Sequence, residues 1–169
     1  TYDIVGAPNS LTLNVTSNVL DNAIFWDGGA GTFDWADALN WSADALPTAT
    51  DNIYIGPLTN NPVLISVGAR LGNNMVCDAD FLLSGGDLTL GGVSYFNGVT
   101  GMSGGTLSTA GATAIATLNW TGGSITGAGV LTTGSLSLVY GYTQVLDGKT
   151  LDTNGTSILT YNDLHLLNG

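Results

Sequence analysis

The sequence predicts an all-β solenoid, a stack of short strands wound into coils, and three observations carry that prediction. The first is a repeat. Leu-Ser-Gly-Gly-Asp-Leu-Thr-Leu at 83–90 returns as Met-Ser-Gly-Gly-Thr-Leu-Ser-Thr at 102–109 and as Trp-Thr-Gly-Gly-Ser-Ile-Thr-Gly at 120–127. The glycine pairs at 85/86, 104/105 and 122/123, and the apolar residues Leu88, Leu107 and Ile125 behind them, are separated by steps of 19 and 18. A fixed period near 20 residues built from β-prone pieces is the mark of stacked coils. The second is composition: 25 glycines, abundant Thr, Ser, Asn and Val, no Glu, and Arg70 and Lys149 as the only Arg and Lys. The strongest helix formers are nearly missing, so almost no helix is expected. The third is length. A coil of about 18 residues at roughly 3.3 Å each has a perimeter near 60 Å, enough for three short strands around a narrow core.

The formal charge of −11 comes from 13 acidic residues, all Asp, against two bases. It excludes nucleic acid, which needs clustered cations, and anionic membrane surfaces. It keeps a strand-rich surface soluble and is able to gather divalent cations. Cys77 is the only cysteine, so no internal disulfide forms; its Val-Cys-Asp context favours a buried, inert thiol over pairing between chains. No apolar run is long enough to span a membrane, and no signal-peptide pattern opens the chain, which therefore reads as mature or excised extracellular material.

Taken in order, residues 1–22 form an N-terminal strand extension. Leu11, Leu13 and Val15 alternate with Thr12, Asn14 and Thr16, the period of a half-buried strand. Ile4 and Val5 belong to a second strand, with Gly6 to Ser10 as the turn. A two-stranded ribbon is barely stable alone, so it must pack on the solenoid, on a preceding domain or on a neighbouring copy. Residues 23–57 form a capping segment rich in Trp, Gly and Asp, holding Trp26, Trp35 and Trp41 and ending in Ile53-Tyr54-Ile55-Gly56-Pro57. Residues 58–169 form the solenoid. Apolar runs at 63–67, 76–83, 88–96, 104–109, 115–126, 136–139, 145–151 and 158–167 give, counted from residue 53, about six coils. The expected pattern places Leu, Ile and Val inward and Thr, Ser, Asn and Asp outward, with glycine at the corners.

The pattern Trp26-x-Gly-Gly-x-Gly31…Trp35…Asn40-Trp41…Pro47…Asp51-x-Ile53-x-Ile55 resembles the opening segment of large secreted bacterial β-solenoid proteins, the autotransporter-passenger and filamentous-haemagglutinin-like adhesins. The runs Trp120-Thr-Gly-Gly-Ser-Ile-Thr-Gly and Leu146-Asp-Gly-Lys-Thr-Leu151 resemble their coils. The resemblance covers roughly 23–169 and implies a right-handed parallel β-helix at the cell surface, with no catalytic residues to carry over.

The inventory for catalysis is thin. His165, the only histidine, sits in the alternation Leu164-His165-Leu166 and reads as a solvent-facing strand position. Asp78 and Asp80 read as projecting from one face of a strand, the arrangement of a glycosidase carboxylate pair, yet no cation lies nearby to hold an acidic sugar. For Ca²⁺, the weak candidates are Asp27, Asp34 and Asp37 in the capping loop. Their spacing lacks a metal-binding grammar, and Asp also caps turns. The three tryptophans are expected to cover the open end of the core, with stacking on sugar as the alternative. Asn14, Asn40, Asn119 and Asn154 precede x-Ser/Thr by chance in a chain so rich in Asn and Thr. Leu88, Leu107 and Ile125 are expected to stack as one buried column.

The sequence is therefore expected to be a non-enzymatic extracellular structural protein that assembles head to tail with copies of itself. The alternative is a segment of a longer surface adhesin that binds carbohydrate or a host surface; a polysaccharide-cleaving enzyme is a remote third. No cofactor is expected. The last residues, 162–169, read as a β-prone strand with no capping segment after it.

Overall fold

In the computed structural model of the chain, the described residues are 2–7, 10–15, 20–58, 62–139, 141–160 and 163–167, with side chains described from residue 20 onward. β1 (Tyr2–Ala7) and β2 (Ser10–Val15) pair antiparallel, Ile4 opposite Leu13, as a sheet of their own. β3 (Ile24–Phe25) begins the stack, followed by a loop whose one regular turn is a 3-10 helix, Ala38–Asn40. The first full coil is β4 (Ile53–Ile55), β5 (Val63–Ile65) and β6 (Ala69–Gly72); the second is β7 (Met75–Cys77), β8 (Phe81–Leu83) and β9 (Asp87–Leu90). β10 (Ser94–Thr109) and β11 (Thr113–Thr126) each bend round all three sides of a coil. β12 (Val130–Leu138) and β13 (Gln144–Asp147) make the fifth, and β14 (Thr150–Thr153), β15 (Ser157–Leu159) and β16 (Leu164–Leu167) the sixth.

Every strand pairing within the stack is parallel, coil upon coil, giving a β-solenoid of about six turns with three sides. On the third side Arg70, Leu88, Leu107, Ile125, Leu146 and Leu166 occupy one column. Leu88, Leu107 and Ile125 are fully buried within it. The glycine repeat has a steric cause. Gly86, Gly105 and Gly123 have φ of +70°, +75° and +90°. A Cβ on Gly86 would meet the Gly68 carbonyl oxygen, one on Gly105 that of Gly86, and one on Gly123 that of Gly105. Each corner therefore needs glycine both for its left-handed backbone and for the approach of the coil before it.

Two expectations are corrected. The inward positions are not purely aliphatic: Ser94, Thr100, Thr109, Thr113, Thr133 and Gln144 are buried. Threonine shares the branched shape that suits a strand, and the Thr109 and Thr113 hydroxyls bond each other at 2.6 Å. The run 76–83 is also not one strand. The chain turns a corner at Asp78–Asp80, between β7 and β8.

Candidate functional site: the two ends of the stack

At the N-terminal end, the loop after β3 folds over the core. Trp26, Trp35 and Trp41 are buried, Trp35 and Trp41 completely. Trp41 meets Trp26 edge-on at 5.1 Å and Trp35 at 4.7 Å, Trp35 packs on Phe81 at 6.3 Å, and Phe81 on Phe96 at 5.3 Å, so aromatic contact runs from the cap into the third coil. The loop is tied down by backbone bonds: Trp35 N–H donates to Leu64 O and Leu64 N–H to Phe33 O. Trp41 Nε1 donates to Trp35 O at 3.0 Å. Asn40, which in sequence belongs to the Trp-rich pattern and to the chance Asn-x-Ser/Thr sites without an expected structural role, is fully buried and braces the loop: its amide donates to Thr32 Oγ1 and Asp34 O and accepts from Ala30 N–H. Its only signal was its place beside Trp41.

The acidic residues of this loop serve turns. Asp27 Oδ1 accepts from Gly29 N–H at 3.0 Å and Asp34 Oδ1 from Ala36 N–H at 2.8 Å, each bonding two residues ahead. Asp37 Oδ2 accepts from the Thr32 hydroxyl. Among the described residues no three His, Cys or Asp side chains converge as a metal cage would require.

The C-terminal end is built differently. Among the described residues, β14, β15 and β16 each pair on one side only, with β12, β12 and β13. Their core-facing leucines lack the layer that buries those of earlier coils. Leu151 and Leu164 are half-buried, while Leu159 and Leu166 are 61% and 66% exposed. A hollow of about 530 Å³ opens among Leu146, Lys149, Leu151, Leu164, Leu166 and Leu167. Lys149 runs back along the corner, its Nζ donating to Ala128 O at 2.6 Å and Gly111 O at 3.1 Å. Burial lowers its pKa.

The remaining candidates are scattered. His165 is exposed on β16 and contacts Asp163 at 2.9 Å. Asp78 and Asp80 stand in a corner rather than on a strand face. Asp78 accepts from the Tyr54 hydroxyl and the Asn97 amide, and Asp80 from Val99 N–H. Both are engaged in holding adjacent coils together. The Arg70 guanidinium donates to Ala69 O and Val67 O. Cys77 is buried, its Sγ donating to Ala79 O at 3.3 Å, and burial pushes the thiol pKa up to about 12. Comparisons with family models, with curated proteins and with solved structures found no match.

Proposed function

We propose that this chain is a non-enzymatic, extracellular structural protein that assembles head to tail with copies of itself, residues 1–22 of one copy laid on the last coil of the next. The observation that supports the reading is the asymmetry of the stack. One end is sealed by three tryptophans, and the other offers unpaired strand edges and exposed leucines. Unpaired edges beside an apolar surface invite strand addition. The β1–β2 pair forms a sheet apart from the solenoid, and the sequence of β2 alternates Leu11, Leu13 and Val15 with polar residues, the pattern expected of a strand that joins such an edge. A sealed end meeting an open end is a heterologous contact, and one that does not close into a ring propagates as a fibre. The charge of −11 keeps the sides of such a fibre apart.

The test is sedimentation and negative-stain imaging of the intact chain and of a chain lacking residues 1–22, across a wide concentration range. Concentration-dependent polymers that vanish on deletion are the expected result. An intact chain that stays monomeric at high concentration overturns the reading and favours a segment of a longer adhesin, whose own further coils would cover the last one.

A further inference from the structure

The outer surface of the first side of the stack carries a ladder of rings. Phe25, Tyr54, Val76 and Tyr95 are in register across β3, β4, β7 and β10. Phe25 and Tyr54 are one strand spacing apart and Tyr54 and Tyr95 two, with Val76 on the rung between them, so the row from Phe25 to Tyr95 is about 14 Å long. Each alternates with a buried neighbour, Trp26, Ile55, Cys77 or Phe96, so the ladder faces outward. Phe25 is 51% exposed and Tyr95 41%. Tyr54 is held in place between them. Its hydroxyl donates to Asp78 Oδ2 at 3.1 Å, and its hydroxyl oxygen and two ring carbons lie 3.6–3.8 Å from where a Cβ on Gly56 would stand. The ring thus runs along its own strand toward residue 56. Asp78 Oδ1 in turn accepts from Asn97 Nδ2 at 2.7 Å. Two planar polar side chains, Asp78 in the corner that follows β7 and Asn97 on β10, therefore stand bonded together beside the rings.

Exposed aromatic faces beside fixed carboxylate and amide groups match a sugar, which presents an apolar C–H face and a rim of hydroxyls. Charge narrows the class. The only Arg and Lys are Arg70 and Lys149, and both are committed to backbone carbonyls elsewhere. No cation is offered to an acidic sugar, and the net charge repels one. We propose that the ladder of Phe25, Tyr54 and Tyr95, with Asp78 and Asn97, is a binding platform for a neutral polysaccharide lying along the stack axis. Tyr54, Tyr95, Asp78 and Asn97 lie on the side of the stack and Phe25 on its first strand, so the platform is tested separately from the assembly reading.

Affinity electrophoresis tests it, through native gels containing hydroxyethylcellulose, xylan or galactomannan, with polygalacturonate as the acidic counterpart. Retardation by at least one neutral polymer is expected. Tyr95→Ala and Phe25→Ala should each weaken it about tenfold, and Tyr54→Phe, which keeps the ring and loses the Asp78 tether, by a smaller factor. Tyr142→Ala removes an 80% exposed ring outside the ladder and should change nothing. Thermal melts matching the parent will show that each variant is folded. No retardation by any of the three neutral polymers overturns the proposal, as does retardation that survives both alanine variants or is equalled by polygalacturonate. Loss of polymer assembly with the sugar response intact would sink the assembly reading alone.

Discussion

The two ends of the stack face the same difficulty and meet it in opposite ways. A solenoid buries each coil between two neighbours, so its first and last coils each lack one. At the first, the chain spends a loop of aromatic side chains on the problem. Trp26, Trp35 and Trp41 are large enough to seal the narrow section, and edge-on ring contacts carry the packing inward to Phe81 and Phe96. At the last, leucines that fit the columns above them look into a hollow. Leu159 and Leu166, 61% and 66% exposed, each leave about 1–2 kcal/mol of burial unrealised. The difference teaches that the same column of residues is core or interface according to what lies beyond it. Leu146 is 2% exposed and Leu166, paired one coil further on, 66%.

The largest expected effect sets the scale for both ends. Leu107→Asp places an unpaired charge in the middle of the stack and should cost about 5 kcal/mol or more, or abolish folding. A urea midpoint that does not move would show the register to be wrong. Trp41→Ala strips the sealed end of two ring contacts and the bond to Trp35 O, and should cost about 3–5 kcal/mol. Its partner experiment is Leu166→Ala at the open end, expected below about 1 kcal/mol in dispersed protein because so little of that side chain is packed. Equal costs for the two would erase the contrast between the ends.

Cys77 sharpens the comparison from inside, two coils from the cap. Its folded pKa is raised, so the stability it contributes is fully present below the ordinary thiol value of 9.0 and is lost as pH rises from there toward about 12. The slope is at most about 1.4 kcal/mol per pH unit. Tyr54, raised by its hydrogen bond to Asp78, acts in the same direction above its ordinary value; Lys149, lowered by burial, acts in the opposite one. Thermal melts at rising alkaline pH should show the decline, and Cys77→Ala should make it shallower. At neutral pH, iodoacetamide should label Cys77 slowly in the parent and faster in Trp41→Ala; equal rates would mean the cap does not govern opening at that end. The smallest effect belongs to Leu159→Ser. It should change the stability of the dispersed protein by less than about 0.5 kcal/mol while reducing self-association in sedimentation.

Much of this was legible because sterics force it into the sequence. Gly86, Gly105 and Gly123 repeat because a carbonyl of the coil before occupies the space of their side chains, and Leu88, Leu107 and Ile125 repeat because one column runs behind them. The corner at Asp78–Asp80 was not legible. It uses neither glycine nor proline, and is made by carboxylates bonding to neighbouring coils, Asp80 to Val99 N–H among them, a relation with no local signature. The buried Thr109–Thr113 pair was hidden for a similar reason: a hydroxyl reads as outward until its partner is known. Lys149 misleads by the same logic, since its bonds reach back 21 and 38 residues. The aromatic ladder spans residues 25 to 95 and exists only once the coils are stacked.

The glycine corners also govern how such a chain changes length. Between Met102 and Thr106 the pairing of β10 with β11 shifts by one residue and back, so single-residue differences between coils are taken up at the corner while Leu107 and Ile125 stay in one column. The step from Ile125 to Leu146 is 21 residues rather than 18 or 19, and the surplus lies near 139–143, between β12 and β13, where the wall interrupts its strands. Single insertions have a natural place there. Coil steps elsewhere run from 18 to 22 residues, as in Val63 to Phe81 and Ile53 to Met75, while the paired core positions stay in register, so each added coil lengthens the rod by about 4.8 Å whatever its corners hold.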